Sequence, residues 1–557
     1  MAKNPKRLER KAFTHSWSIV GTVLGAAGYI ASLTPTLLPR TTLSQVAASV
    51  LVVVTMYAIG ASIEGIVAWA LRKVRTDAKP KPRHLSRPLI IATVILFVVA
   101  AAFTPSRMQW QAEQAQSVGV LGNPTWPLVV ILTFILFVVC LYIGRGVRAL
   151  ARKIGQGIGR LFGWGEIKHA AASGWIGGVA TAVTFAIVAI VLFQASMIVF
   201  NNVNNSTVAG NTQPQSPTRS GSPQSLISWD SLGQQGRLFV DQGPQPAAIT
   251  QVTNKRAQEP IRIFAGLESA DGLQAQADLA LADLKRAGGL ERSHVIVYTP
   301  SDNGTVDPNA AAAAEYVTGG DVASVAMQYT VLPSFLSYAL SQSTSLEAGT
   351  ILFDTIHQAI QELPAGKRPK LYVYGESLGA FGSQAPFAGE GIEAIVDKTD
   401  GALWAGPPST SQLWDELNRE ASGGTPWQPV VGGGTVVRFA ADQAVIAEAA
   451  TDTEWGPKRA LYLQNSTDPV VWWPGSVLTE RPAWLDEPRG PGVPAQMTWL
   501  PLITFEQMLL DMPFAVSMPP GVGHNYFQAV GPAWVQVLMP SDWTPAQTKD
   551  LQQALNS

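Results

Sequence analysis

Along the first 200 residues the chain is a series of long apolar runs broken by short polar stretches; beyond about residue 258 the runs shorten and alternate with amphipathic segments. Five long runs stand at about 17–38, 43–71, 88–104, 127–144 and 174–200. Each approaches the roughly 20 residues that carry a helix across hydrocarbon, the third and fourth being short enough to call for a tilt or a shifted boundary. Lys3, Lys6, Arg7, Arg10 and Lys11 precede the first run, as in a cleaved secretion signal, but a signal explains one run and five are present. The pattern predicts an α-helical transmembrane domain of about five spans over residues 1–200.

Residues 201–225 are dense in Asn, Ser, Thr, Gln, Pro and Gly. Such a composition buries too little apolar surface to fold alone, so 201–258 is expected to be a polar linker and lead-in segment, with Leu232, Leu238, Phe239 and Val240 contributing at most an edge element. From 259 to 557 the pattern is strand and helix in alternation: strands at 261–265, 294–298 and 371–374, helices at 273–285 and 347–363. Alternation of this kind predicts a doubly wound, mostly parallel sheet whose site lies beyond the carboxyl ends of its strands.

Charge refines the picture. Charged residues are only 14% of the chain and mean hydropathy is +0.14, both suited to a protein partly in lipid. The net charge of −1 argues against a nucleic-acid partner, which needs a clustered basic surface. Basic residues crowd the N-terminus, the loop after the second run (Arg72, Lys73, Arg75, Lys79, Lys81, Arg83, Arg87) and the loop after the fourth (Arg145, Arg148, Arg152, Lys153, Arg160, Lys168). The other two loops hold only Arg40 and Arg107. This alternation predicts a multi-pass cell-membrane protein with a cytoplasmic N-terminus and the region after residue 200 outside the cytoplasm. Glu64, the acidic residue inside the second run, is either functional or a partner of Arg72 or Lys73. Cys140 is the only cysteine, which rules out an internal disulfide and cysteine chemistry in the exported region. Neither a metal nor a cofactor is expected.

After the strand at 371–374 stands Gly375-Glu376-Ser377-Leu378-Gly379. A serine between glycines on a strand-to-helix turn is held above the sheet in a strained conformation that only small flanking residues permit. The backbone N–H of Leu378 then points where a carbonyl oxygen would become negative. Serine needs a base, and the base an orienting acid. His524 is the only histidine after Ser377 and lies in the glycine-containing run Pro519-Pro520-Gly521-Val522-Gly523-His524; His294 and His357 precede the nucleophile and read as structural. For the acid, Asp468 follows a strand at 460–464, while Asp442, Asp452, Asp486 and Asp511 compete without such context. The second oxyanion donor is assigned to the N–H of Leu267 in the loop after 261–265, with the loop 299–304 as the alternative. Glu376 and Glu268 are charges near the site without an assigned task.

The runs LYVYGESLGAF at 371–381, GALWAGPP at 401–408, STDPVVWW at 466–473, EPRG at 487–490 and PPGVGHNY at 519–526 together resemble the actinobacterial α/β-hydrolase membrane proteins over nearly the whole chain. That resemblance implies a cell-envelope protein with a multi-span N-terminal domain, a C-terminal α/β-hydrolase domain and a triad at Ser377, Asp468 and His524. A lid insertion is expected at about 409–459. Its Trp414, Trp427 and Trp455, with Trp472, Trp473 and Trp484, suit either an apolar acyl pocket or ordinary packing. Three functions fit: hydrolysis of a lipid or other acyl-ester substrate of the envelope, acyl transfer to a sugar or lipid through the same intermediate, or a membrane scaffold or transporter carrying a hydrolase-like sensor. Membrane and lipid are the expected partners.

Overall fold

The computed structural model describes residues 18–74, 87–120, 125–161, 166–441, 445–446 and 454–556. The chain divides into two compact units, one of Met1–Ala195, Ser476–Arg481 and Pro494–Asp511, the other of Ser196–Gly475, Pro482–Val493 and Met512–Ser557.

The apolar runs become helices α1 (Ile19–Ser32), α2 (Thr42–Val74), α3 (Arg87–Ala102), α5 (Trp126–Leu161) and α6 (Glu166–Asn205), with a polar helix α4 (Thr104–Ser117) between the third and the fourth run. Within α2, α5 and α6 the stretches Thr42–Ala68, Trp126–Gln156 and Ala182–Asn205 are long and apolar enough to cross a membrane. The 14 residues of α1 and 16 of α3 rise only about 21 and 24 Å, short of a hydrocarbon core of about 30 Å. Pro35 and Pro39 follow α1 closely and stop it before the end of its apolar run. The first and second helices touch at backbone distance: a Cβ on Gly60 would lie 2.7 Å from Gly21 Cα, so the pair packs through small residues. The Glu64 carboxylate accepts from Ser18 Oγ at 2.6 Å and from the Ile19 N–H at 3.0 Å, capping α1, which gives it a structural task.

Two segments from late in the chain complete this unit. Asp511 accepts from Arg40 Nε at 2.8 Å, Arg40 Nη2 at 3.1 Å and Thr36 Oγ1 at 2.6 Å, and Gln507 donates to the Ser32 carbonyl at 2.9 Å. A buried arginine and carboxylate so paired satisfy each other's fork geometry.

In the second unit the sheet has, among the described residues, seven parallel strands in the order β1-β3-β2-β4-β5-β9-β8. These are β1 (Ile261–Ala265), β2 (His294–Thr299), β3 (Val322–Met327), β4 (Lys370–Glu376), β5 (Gly401–Ala405), β8 (Val437–Ala440) and β9 (Arg459–Leu463); β6 (Gly423–Thr425) and β7 (Gln428–Val430) form a separate hairpin. The central strands read as unbroken apolar runs because helices cover both faces of the sheet, Leu273–Arg286 and Gln342–Gln361 on one and Pro308–Val317 and Val530–Leu538 on the other.

The segment expected as a linker is instead part of the fold. Residue 219 bridges to Arg262 beside β1, the Ser220 N–H bonds the Arg262 carbonyl at 3.0 Å, and Arg262 N–H returns to Thr218 at 3.0 Å. Asp283 accepts from Ser220 Oγ, Ser225 Oγ and the Leu226 N–H. Composition forecasts what apolar burial can supply; this segment is held by hydrogen bonds, which composition does not reveal.

The lid expectation is also redrawn. Residues 409–459 include helix Gln412–Arg419, the β6–β7 hairpin and β8, which joins the sheet edge beside β9. Trp414, Trp427, Trp455, Trp472 and Trp484 are buried, and Trp414, Trp455 and Trp472 donate to Gln464, Val436 and Asn465. These five pack the interior, and Trp473 is half-buried.

Candidate active site

β4 ends at Glu376 and a short helix, Leu378–Ser383, begins one residue later. Ser377 sits between them at φ 55° and ψ −123°, a conformation that non-glycine residues adopt only where the surroundings enforce it. Both flanking glycines are required by contact. A Cβ on Gly375 would lie 2.3 Å from the Gly379 carbonyl oxygen, and one on Gly379 would lie 2.2 Å from that of Thr299, at the end of β2. The turn is thus wedged against the neighbouring strand, and the N–H of Leu378 opens the helix, where no carbonyl four residues earlier is available to it.

Asp468 and His524 meet beside this turn. His524 Nδ1 and Asp468 Oδ2 are 2.6 Å apart. Asp468 Oδ2 also accepts from Tyr526 Oη at 2.6 Å, and its Oδ1 accepts from the Val470 N–H at 2.8 Å. Two further bonds tie the acid loop to the base loop: Thr467 Oγ1 accepts from Gly523 N–H at 2.9 Å, and Asn465 Nδ2 donates to the Gly523 carbonyl at 2.8 Å. The other face of the imidazole rests on Gly406, where a Cβ would lie 2.4 Å from His524 Cε1. Gly406 follows Ala405, whose carbonyl accepts the Ser377 N–H at 2.9 Å, so base and serine share one patch of backbone. His524 Nε2 is buried without a hydrogen-bond partner among the described residues.

The electrostatics follow from burial and neighbours. Burial alone would pull the His524 imidazole down, but the Asp468 charge and hydrogen bond outweigh it and hold the ring above its ordinary value. Glu376 is pushed up to about 8, by burial first and then by the nearby Asp307. It therefore carries a proton at neutral pH and adds no negative charge beside the serine. Asp307 itself caps helix Pro308–Val317, accepting from the Asn309 N–H at 2.8 Å.

The remaining sequence candidates fall elsewhere. His294 opens β2 at the amino edge of the sheet, with Nδ1 3.2 Å from the Asp321 carbonyl, and His357 stacks on Phe353. Asp486 is exposed, Asp511 pairs with Arg40, and Asp442 and Asp452 lie outside the described residues. Leu267 follows β1, which β3 and β2 separate from β4, so its loop does not flank the serine. The loop after β2 does: it carries Pro300, whose carbonyl group lies near Gly379. Sequence spacing ranks strands by order along the chain, whereas the crossover places β2, not β1, beside β4. Tyr526, Asn465 and Thr467 were not singled out, although Thr467 and Tyr526 sit in the motif runs at 466–473 and 519–526 and Asn465 immediately precedes the first.

A family model described as the alpha/beta-hydrolase family matches residues 261–551, and one described as the alpha/beta-hydrolase family N-terminus matches residues 33–244. No match was found among curated proteins or among solved structures. The strained turn at Ser377, the parallel sheet and the family match over more than half of the chain agree, and the protein belongs to the alpha/beta-hydrolase family.

Proposed function

We propose that the protein is a membrane-anchored serine hydrolase that cleaves an ester of lipid or acylated envelope material. The observation that carries this reading is the Asp468–His524 pair seated on the same backbone patch as the strained Ser377. Ser377 Oγ attacks the ester carbonyl as its proton passes to His524 Nε2; Asp468, on Nδ1, fixes the tautomer and stabilises the imidazolium. The oxyanion is met by the Leu378 N–H and by the loop after β2. The imidazolium returns its proton to the departing alcohol, and water, activated by the same base, releases the acid and restores Ser377. A protonated Glu376 keeps the site free of a second negative charge while the oxyanion forms.

The anchor is read from α2, α5 and α6; five spans put every basic loop inside, whereas three would keep the N-terminus and the loop at 145–168 inside and leave the loop at 72–87 outside. Three spans or five, the parity is odd, and the hydrolase unit faces away from the cytoplasm. Reaction of the full-length protein with a fluorophosphonate, lost in Ser377→Ala, tests the reading; labelling undiminished in that variant would overturn it. Product analysis with and without a sugar acceptor divides hydrolysis from acyl transfer.

A further inference from the structure

We infer that the end of α6, the last long apolar helix, is a positioning element of the hydrolase site: Asn204 acts through Gln328 on the loop after β2. The inference rests on the hydrolase reading, in which that loop supplies an oxyanion donor.

Gln328 follows β3 and is 1% exposed. Its main chain is fixed on both sides, the N–H bonding the Ala265 carbonyl at 2.8 Å and the carbonyl accepting from Gln276 Nε2 at 3.3 Å. Its side-chain nitrogen lies 2.6 Å from the Asn303 carbonyl, 2.8 Å from Asn204 Oδ1 and 3.1 Å from the Thr330 carbonyl. An amide has two protons for these three acceptors. Whatever Asn204 gives up or claims is therefore redistributed onto the Asn303 carbonyl, in the middle of the loop. The loop is tightly turned, with Ser301 and Thr305 exchanging backbone hydrogen bonds at 2.9 and 3.1 Å, so a pull at Asn303 moves it as a piece. Gly304, at φ 106°, lies flat on Gln328, where a Cβ would be 3.0 Å from Cγ.

The helix end is equally well held. Arg237 Nη1 donates to the Asn205 and Ser206 carbonyls at 2.9 and 3.1 Å, covering the last turn, and Asn205 Nδ2 reaches Glu268 at 3.1 Å. Asn204 is 7% exposed. A stretch whose apolar side chains face outward, Ala182–Asn205, thus ends in a buried amide two hydrogen bonds removed from the loop, through Gln328. A tilt or rotation of that helix is carried to the oxyanion side of the site by rigid parts.

The test uses the full-length protein in lipid nanodiscs, with three readouts: kcat/KM on a p-nitrophenyl ester, thermal unfolding, and inhibition by a trifluoromethyl ketone, whose hemiketal oxyanion fills the hole. Gln328→Met and Asn204→Leu are expected to lower kcat/KM by about ten- to hundredfold and to weaken the ketone by a similar factor, as a misplaced donor does. KM and the unfolding temperature should move little. Asn204→Asp keeps the acceptor and should retain activity. Wild-type ketone affinity in both loss variants, or equal damage from Asn204→Asp and Asn204→Leu, would overturn the inference alone. A wild type inert to fluorophosphonate would overturn the hydrolase reading and the inference with it.

Discussion

Substituting Gly379 by alanine puts a methyl group into the tightest contact of the nucleophile turn. The added Cβ would lie 2.2 Å from the Thr299 carbonyl oxygen, where ordinary contact begins near 3.4 Å, so about 1.2 Å must be found. It cannot come from a side chain, because both parties are backbone. Nor can the strands part freely, since Thr299 is in register with Gly375 in the β2–β4 ladder. The strain falls on the turn that aims Ser377 and on the loop that begins at Pro300, whose carbonyl oxygen is already 3.2 Å from the same Cβ position. Overpacking of this kind costs about 1–3 kcal/mol in stability, and a displacement near 1 Å at the reacting atoms lowers turnover on the order of a hundredfold. The rate constant for fluorophosphonate labelling of full-length protein, read beside its thermal unfolding, measures both. Gly366→Ala, at a position with nothing within 4 Å and ordinary φ, is the control and should be silent. Gly379→Ala labelled at the wild-type rate would refute the account of the turn.

Ser377→Ala and His524→Ala should each lower esterase turnover about a thousandfold or more, and the double variant little further, because the groups act as a unit. Tyr526→Phe removes a donor from Asp468 Oδ2 and leaves more of its charge to His524. The imidazole value then rises further, and the acidic limb of the kcat/KM profile should move to higher pH. Glu376 is raised in the folded state from 4.5 to about 8, so the folded protein holds the proton longer than the unfolded chain. Stability should therefore fall as pH rises through that window, and Glu376→Gln, followed by thermal unfolding across pH 5–9, should flatten the slope. A reporter fused after Ser557 should be active only outside the cytoplasm.

The strands at 261–265, 294–298, 371–374 and 460–464 were legible as short apolar runs bounded by turns, whereas Val322–Met327 and Val437–Ala440 were not singled out; the strained turn at Ser377 was legible through the glycines two positions either side. The pairing of Asp468 with His524 was legible through their order along the chain and their loop positions. What escaped depends on relations between distant segments. The neighbour of β4 is set by a crossover, so Leu267 and the loop after β2 look alike in sequence and differ in three dimensions. The 201–225 segment escaped for another reason. Its apolar content is low, but Asp283 and Arg262, far along the chain, supply the partners that hold it. The indoles at 414, 455, 472 and 484 pack inward because their N–H groups or faces find partners there, which composition alone does not decide.

The membership of Ser476–Arg481 and Pro494–Asp511 in the membrane unit bears on how the gene can be dissected. Between the codons for Asp468 and His524 the reading frame twice encodes pieces of the other module, so no single cut yields two whole parts. A secreted fragment beginning near residue 206 would carry Pro494–Asp511 without the residues it bonds, leaving Asp511 without Arg40 and Gln507 without the Ser32 carbonyl. During synthesis the same layout fixes the order: the early helices have been made before the ribosome delivers the helix Ile503–Ala515 that bears Asp511. Recombination that swaps either module for a relative's would have to exchange both at once, which ties their histories together.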